Sequence, residues 1–258
     1  MRNLFLLLIL FISMNANGQV FYLDEEESFD VKYYPKRIKE YDRMIELDSA
    51  RMENYYYRAE LKYKLKLYSE CISDYQLILK KFGERRDTYA NLGMAYCFLN
   101  DSVHAVGNLQ KAISMTPGYA RNHLNLGFVY LYFNNTREAF PCLKKALELD
   151  QNYVKAYYYL GYAYLITGNL EESEKNLLKC IELAVIHPES FYNLGVLSFK
   201  QKKYTETITY LTKALETHPP FASDKELFEF RGKAYEKLGE KEKAKTDLDK
   251  AKTLSGKK

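Results

Sequence analysis

Residues 120–153 read ARNHLNLGFVYLYFNNTREAFPCLKKALELDQNY, and residues 154–187 read VKAYYYLGYAYLITGNLEESEKNLLKCIELAVIH. Aligned without a gap, the two stretches share the pair Leu-Gly, a Tyr three residues after the Gly, and a Leu sixteen residues after it. Self-similarity at a fixed period of about 20 to 50 residues is the sequence signature of a repeat architecture. Internal repetition therefore decides the fold of this chain.

The period of 34 residues continues on both sides of this stretch. A small residue recurs in the first half of each unit, at Ala59, Gly93, Gly127, Gly161 and Gly195. A second column of mostly small residues follows in the second half, at Cys71, Ala105, Ala139, Ser173 and Thr207. A sixth copy, shifted by three residues, contributes Phe228, Gly232, Tyr235, Ala244, Leu248 and Ala251.

Each unit predicts two helices that pack together as a hairpin. Apolar residues at spacings of three and four mark one face of a helix, and every unit carries two such runs. Small residues at the contact allow the two helix backbones to approach closely. Turn residues separate the runs, at Asn100-Asp101, Asn134-Asn135 and Gly168-Asn169. Because one hairpin cannot bury its own apolar faces, we expect the hairpins to stack.

The 34-residue unit resembles the tetratricopeptide repeat in its aromatic, Leu-Gly, Tyr, Ala, Leu and Ala columns. The array covers residues 52–256, with copies near 52–85, 86–119, 120–153, 154–187, 188–224 and 225–256. The resemblance implies an all-α fold: a right-handed superhelical solenoid of about six antiparallel helix hairpins. It also implies a concave groove lined by the first helix of each hairpin.

The two ends of the array depart from the pattern. Arg58 and Lys62 replace the expected Leu and Tyr in the first copy, and Arg231 replaces Leu in the last. We expect terminal repeats to be atypical, because one side of each faces water. Residues 34–48 resemble a lone second helix and predict an N-terminal capping helix. The acidic residues 19–33 are predicted to be flexible.

The first eighteen residues have the layout of a cleavable signal peptide. Arg2 precedes the apolar run Leu4–Ile12, and Ala16 and Gly18 are placed for cleavage before Gln19. The run is shorter than the roughly 20 apolar residues that span a bilayer. The sequence therefore predicts an exported protein, periplasmic or secreted, with no membrane insertion after cleavage of residues 1–18.

Motifs for catalysis, metal binding or nucleic-acid binding do not stand out in the sequence. The four His show no metal-ligand spacing, and His123 lies in the aromatic packing column. The four Cys are interpreted as free thiols, three in or beside packing columns and Cys97 at the groove border. The formal net charge is +4 with both signs interleaved, so no basic block favours nucleic acid. We predict no catalytic residues, no metal, no cofactor and no enzymatic activity.

The candidate site is the predicted groove. On the first helices, the positions not used within the hairpin carry Tyr, Phe and Asn. The candidate groove residues are Tyr56, Tyr57, Asn91, Phe98, Asn125, Phe128, Tyr132, Tyr158, Tyr159, Tyr162, Tyr192, Asn193 and Phe199. The Asn column is similar to the asparagine ladders with which tetratricopeptide proteins hold extended peptides, since an amide pairs with any peptide backbone. In the alternative interpretation, these aromatic residues pack against the next repeat.

An exposed aromatic stripe indicates a binding surface. The first hypothesis is a non-catalytic scaffold that binds a partner peptide or protein segment in the groove. The second is a glycan-binding component of envelope polysaccharide assembly, because tyrosines stack on sugar rings. The third is a structural scaffold that self-associates through the same groove. The sequence does not identify the partner.

Overall fold

The computed structural model describes residues 12–14, 20–22, 31–184, 187–217 and 224–255. Within these ranges there are thirteen α-helices, preceded by two short strands and one turn of 3-10 helix at Val31–Tyr33. Strand β1 (Ile12–Met14) pairs antiparallel with β2 (Val20–Tyr22). The helices are α1 (Tyr34–Leu47), α2 (Met52–Lys64), α3 (Tyr68–Phe82), α4 (Arg86–Phe98), α5 (Ser102–Met115), α6 (Ala120–Tyr132), α7 (Thr136–Leu149), α8 (Val154–Thr167), α9 (Leu170–Leu183), α10 (Pro188–Lys200), α11 (Tyr204–Thr217), α12 (Lys225–Lys237) and α13 (Lys241–Ser255).

The chain divides into two compact units, Met1–Asn135 and Thr136–Lys258, called here the N-terminal unit and the C-terminal unit. In the N-terminal unit, α1 packs on α2, the hairpins α2–α3 and α4–α5 follow, and α6 packs on both α5 and α4. In the C-terminal unit, α7 packs on α8, followed by the hairpins α8–α9, α10–α11 and α12–α13. The prediction of an all-α solenoid of helix hairpins is confirmed.

The hairpins close at the recurring small residues. A Cβ placed on Gly161 would lie 2.7 Å from Cγ of Leu177, and one on Gly93 would lie 2.6 Å from Cγ of Leu109. The second-helix columns are also in the core, because Cys71, Ala105, Ala139, Ser173 and Thr207 are all fully buried. The small residues thus set the close approach of the two helices, as the sequence indicates.

The turn within each hairpin uses a left-handed residue at one fixed place in the repeat. The residues with positive φ at this place are Lys66, Asn100, Asn134, Gly168, Lys202 and Gly239. Gly and Asn tolerate this conformation, whereas Lys66 and Lys202 adopt it at a cost in free energy. Asn169 then caps α9, since its side chain accepts a hydrogen bond from the backbone N–H of Glu172.

The atypical cations of the first and last copies form ion pairs with buried carboxylates. Arg58 donates through Nε to Asp74 (3.0 Å) and through Nη1 to Asp42 of α1 (2.7 Å), and Lys62 Nζ also donates to Asp74 (2.9 Å). The side chains of Arg58 and Lys62 are only 15% and 12% exposed. They satisfy the Asp74 carboxylate, which is itself buried.

Arg231 makes the equivalent contacts in the last hairpin. Its guanidinium binds both oxygens of buried Asp247 at 2.7 and 2.8 Å, and Nη1 donates to Thr212 of α11 at 3.1 Å. Thr212 and Asp42 occupy the same position in the repeat, because they are separated by five periods of 34 residues. Each terminal arginine therefore links the second helix of its own hairpin to the second helix of the hairpin before it. For Arg58, α1 takes the place of that earlier second helix.

The predicted signal peptide, residues 1–18, lies outside the described residues except for β1. Of the predicted flexible segment, residues 19–33, only β2 and Val31–Tyr33 are described. Among the described helices, none is long and apolar enough to cross a bilayer. All four cysteines are free thiols, and Cys97 is fully buried rather than at a groove border because it packs in the interior of the N-terminal unit.

Candidate partner-binding surface

The first helices of the N-terminal unit, α2, α4 and α6, form a surface that we call the N-terminal first-helix surface. Helices α4 and α6 contact each other directly. Asn91 of α4 connects to α2, because its Nδ2 donates to the hydroxyl of Tyr56 (3.0 Å). Seven predicted site residues belong to these helices: Tyr56, Tyr57, Asn91, Phe98, Asn125, Phe128 and Tyr132.

Phe98 is the centre of an aromatic cluster on this surface. Its ring centroid lies 6.1 Å from that of Phe128 and 5.8 Å from that of Tyr132. Tyr63 of α2 lies 6.0 Å away, and Tyr68 stacks on Phe98 at 5.3 Å. Such separations are favourable for aromatic pairs. The structure thus brings three predicted residues together and adds Tyr68, which begins a second helix and was not predicted.

The hydroxyl groups of Tyr68 and Tyr132 in this cluster are held in their neutral form. Burial, followed by the neighbouring Tyr132 and two cysteine thiols, raises the pKa of Tyr68 to about 12. Burial likewise raises the pKa of Tyr132 above its ordinary value. Both tyrosines therefore remain able to donate hydrogen bonds at neutral pH.

The predicted asparagine ladder is only partly open to a ligand. The Nδ2 group of Asn91 donates to Tyr75 (3.1 Å) as well as to Tyr56, so its hydrogens are used within the fold. Asn125 is half-buried on α6, whereas Asn193 in the C-terminal unit is only 5% exposed. Of the three amides, Asn125 is the best placed to contact a partner.

The other end of the N-terminal first-helix surface is charged. Burial is the main cause that raises the pKa of Tyr56, and the charges of Glu60 and Asp87 raise it further. Asn91 and Arg121 act in the opposite direction. Burial also raises the pKa of the Glu60 carboxyl, although Lys64 opposes this effect. Acidic and basic groups from three successive first helices therefore surround the Tyr56 hydroxyl.

The first helices α8, α10 and α12 form the C-terminal first-helix surface, and α10 contacts both of the others. Tyr158 and Tyr159 of α8 pack against each other with ring centroids 5.1 Å apart, and both are buried. Phe199 of α10 contacts Tyr204 and Phe230, at 5.8 and 5.3 Å. Tyr162 and Tyr192 are half-buried on α8 and α10.

A buried polar cluster adjoins Tyr158. The imidazole of His187 lies 5.0 Å from the Tyr158 ring. His187 caps the N-terminus of α10, because its Nδ1 accepts a hydrogen bond from the backbone N–H of Ser190 (3.3 Å). Burial, with the charge of Lys155, lowers the pKa of His187 to about 4, although a Glu189 oxygen lies 3.1 Å from Nδ1. Burial lowers the pKa of Lys155 to about 8. His187 is therefore neutral near pH 7.

The predicted site residues divide into two groups by exposure. Phe128, Tyr158, Tyr159 and Asn193 are buried, as the alternative interpretation of the groove expects. The other nine are half-buried or exposed, and Tyr57 is the most open, at 49%. Each first-helix surface therefore presents accessible aromatic side chains backed by buried ones. Within the described residues no group of three or more His, Cys, Asp and Glu could hold a metal ion.

Within each unit, stacked helix hairpins define the chain as an α-solenoid repeat protein. Tetratricopeptide repeat family models match residues 120–153 and 226–258, residues 142–175 and residues 189–220. The chain therefore contains tetratricopeptide repeats. This fold generally serves as a scaffold for protein–protein interactions. No curated protein matches the sequence.

Solved structures show the same fold at low sequence identity. A tetratricopeptide repeat protein from Parabacteroides merdae is 18% identical with a TM-score of 0.68, over 89% of this chain and 90% of that one. A thermophilic tetratricopeptide repeat protein from Thermus thermophilus is 20% identical with a TM-score of 0.60, over 71% of this chain and 98% of that one. YrrB, described as having an unusual peptide-binding site, is 22% identical with a TM-score of 0.51, over 69% and 92%.

Proposed function

We propose that this protein is a non-catalytic scaffold whose first-helix surfaces bind a segment of a partner protein. The observation that carries the proposal is the set of accessible aromatic side chains on the first helices, above all Tyr57, Tyr132 and Tyr192. Exposed aromatic surface is costly in water and is a feature of interaction sites. Tyrosine suits such a site because a large rigid ring carries one hydroxyl.

The chemistry of these surfaces favours a protein segment as the ligand. The half-buried rings supply apolar contact area, and the amide of Asn125 supplies a donor and an acceptor for a peptide backbone. The likeness in fold to YrrB, a protein described as having a peptide-binding site, supports the same use of the solenoid here. The accessible residues of the candidate site are Tyr, Phe and Asn, which position a ligand rather than transform it.

The test is quantitative affinity capture from extracts of the native organism. The variant Tyr57→Ala/Asn125→Ala/Tyr192→Ala removes three accessible first-helix side chains, and its control Val103→Ala/Leu178→Ala removes two exposed second-helix side chains. We expect the first variant to lose the proteins retained by the wild type and the control to keep them. Equal recovery by both variants, or retention of polysaccharide instead of protein, would overturn the proposal. Loss of self-association alone would favour the structural scaffold.

We further propose that the protein is exported and acts in the periplasm or outside the cell. The support is the sequence of residues 1–18, in which a basic start, a short apolar run and small residues follow one another. N-terminal sequencing of the protein from its native source should give Gln19 as the first residue. Recovery of a cytosolic protein that begins at Met1 would exclude export.

A further inference from the structure

Three first helices of the C-terminal unit direct one side chain each toward a common place. Tyr192 of α10 donates its hydroxyl hydrogen to Oε2 of Glu226 on α12, at 3.3 Å. Tyr162 of α8 also lies within the electrostatic influence of Glu226, because burial and then this carboxylate raise the pKa of Tyr162 to about 12. We call Tyr162, Tyr192 and Glu226 the tyrosine–glutamate recess.

The Glu226 carboxylate in this recess differs from those of Glu229 and Glu189. Glu229, one turn further along α12, lies 3.2 Å from Lys225 and 3.8 Å from Lys233. Glu189 lies 3.1 Å from His187 and close to Lys155. Glu226 is exposed, and within the described residues no Lys, Arg or His lies within ion-pair distance of it. Its negative charge is therefore available to a ligand.

We propose that the tyrosine–glutamate recess binds a Lys or Arg side chain of the partner segment. A carboxylate and a basic side chain form a charge-assisted hydrogen bond, which is stronger than a neutral one. The rings of Tyr162 and Tyr192, both half-buried, would add cation–π attraction. Tyr162 stays neutral and so adds no second negative charge. The inference rests on the proposed function, because it names the partner chemistry of the same surface.

The N-terminal first-helix surface provides an internal contrast. Arg121 occupies in α6 the repeat position that Glu226 occupies in α12, allowing for the three-residue shift of the last copy. Arg121 acts on the hydroxyl of Tyr56 two repeats earlier, as Glu226 acts on Tyr162. Arg121 and Glu226 therefore carry opposite charges at the same place in their repeats.

The test uses the full chain and three pools of short capped peptides, randomised in Ala, Leu, Phe and Ser around a fixed central Arg, Gln or Glu. Binding is measured by microscale thermophoresis with the wild type, with Glu226→Gln and with Glu216→Gln. Glu216 is exposed on second helix α11, so its substitution changes net charge equally without touching the recess. We expect the Arg pool to bind about tenfold more tightly than the Gln pool, as a charge-assisted hydrogen bond gives.

The preference for Arg should disappear in Glu226→Gln and persist in Glu216→Gln. Equal binding of the three pools, preference for the Glu pool, no binding of any pool, or an Arg preference that survives Glu226→Gln would each overturn the inference. The proposed function is judged separately by the affinity capture. If Tyr57→Ala/Asn125→Ala/Tyr192→Ala loses its partner while Glu226→Gln retains it, the recess fails and the scaffold stands.

Discussion

The ion pair between Arg231 and Asp247 makes a sharp prediction about stability. The Arg231 side chain is 15% exposed and that of Asp247 is 6%, and two hydrogen bonds below 3 Å join them. Removing one member of a buried pair leaves the other charge without compensation, which costs about 3 to 5 kcal/mol. We expect Arg231→Leu to lower the free energy of unfolding by about 3 kcal/mol, the lower end, since the guanidinium keeps some water contact.

The second repeat shows how both charges can be replaced together. Where the last repeat has Arg231 and Asp247, the second repeat has Leu92 and Asn108. The double variant Arg231→Leu/Asp247→Asn recreates that pair, and we expect it to unfold within about 1 kcal/mol of the wild type. The single variants should therefore be strongly non-additive, because they remove the two halves of one interaction.

Urea unfolding followed by far-UV circular dichroism measures the free energies of unfolding of the wild type, the two single variants and the double variant. The matched control is Arg58→Leu/Asp74→Asn in the first repeat, where the exchange should remain destabilising because Lys62 Nζ loses Asp74 (2.9 Å) and Asp42 loses Arg58. The reasoning is refuted if Arg231→Leu alone unfolds like the wild type. It is equally refuted if the double variant is as unstable as Arg231→Leu.

Three further predictions concern the turns, the hairpin contacts and acid stability. Lys202→Gly should raise the free energy of unfolding by about 1 kcal/mol, because Lys202 has a φ of 62° that Gly adopts without strain. Thermal unfolding measures this increase. Gly161→Ala should lower it by about 1 to 3 kcal/mol through overlap with Leu177, whereas Gly107→Ala, with nothing within 4 Å, should raise it slightly in the same urea titration. The lowered pKa of His187, about 4 against an ordinary 6.5, means that only the unfolded chain binds this proton between those values. The free energy of unfolding should therefore be highest above pH 6.5 and fall by about 3 kcal/mol as the pH is lowered toward 4. In His187→Gln, the free energy of unfolding measured by urea titration should not show this decrease between pH 6.5 and pH 4.

The sequence predicts the hairpins well because a helix face repeats every three to four residues and the hairpin contact recurs at a fixed spacing. The contact between Gly161 and Leu177 can be inferred from the period alone. Asn100, Asn134 and Gly168 mark the turns of three successive hairpins. Contacts between repeats are different, because residues brought together across three helices share no local signal. The approach of Glu226 to Tyr162 could not be inferred for this reason.

The terminal repeats show a second limit of sequence reasoning. Arg58 and Arg231 read as surface residues, since cations rarely enter a core without a partner. Their partners, Asp74 and Asp247, stand at positions where other repeats have Asn, Cys or Tyr, and both lie sixteen residues after the arginine. That shared spacing was a signal for the ion pairs. Exposure of the candidate site residues carried no such signal, since Tyr158 and Tyr162 look alike in sequence but differ in burial.

Site-specific photocrosslinking tests the central claim most directly. The photoreactive residue p-benzoylphenylalanine would replace Tyr57 or Tyr192 on the first helices, and Val103 or Leu178 on the second helices, in the protein bound to its captured partner. The scaffold account predicts crosslinked partner from Tyr57→p-benzoylphenylalanine and Tyr192→p-benzoylphenylalanine and little from the two second-helix positions. Crosslinks formed mainly from positions 103 and 178 would contradict it.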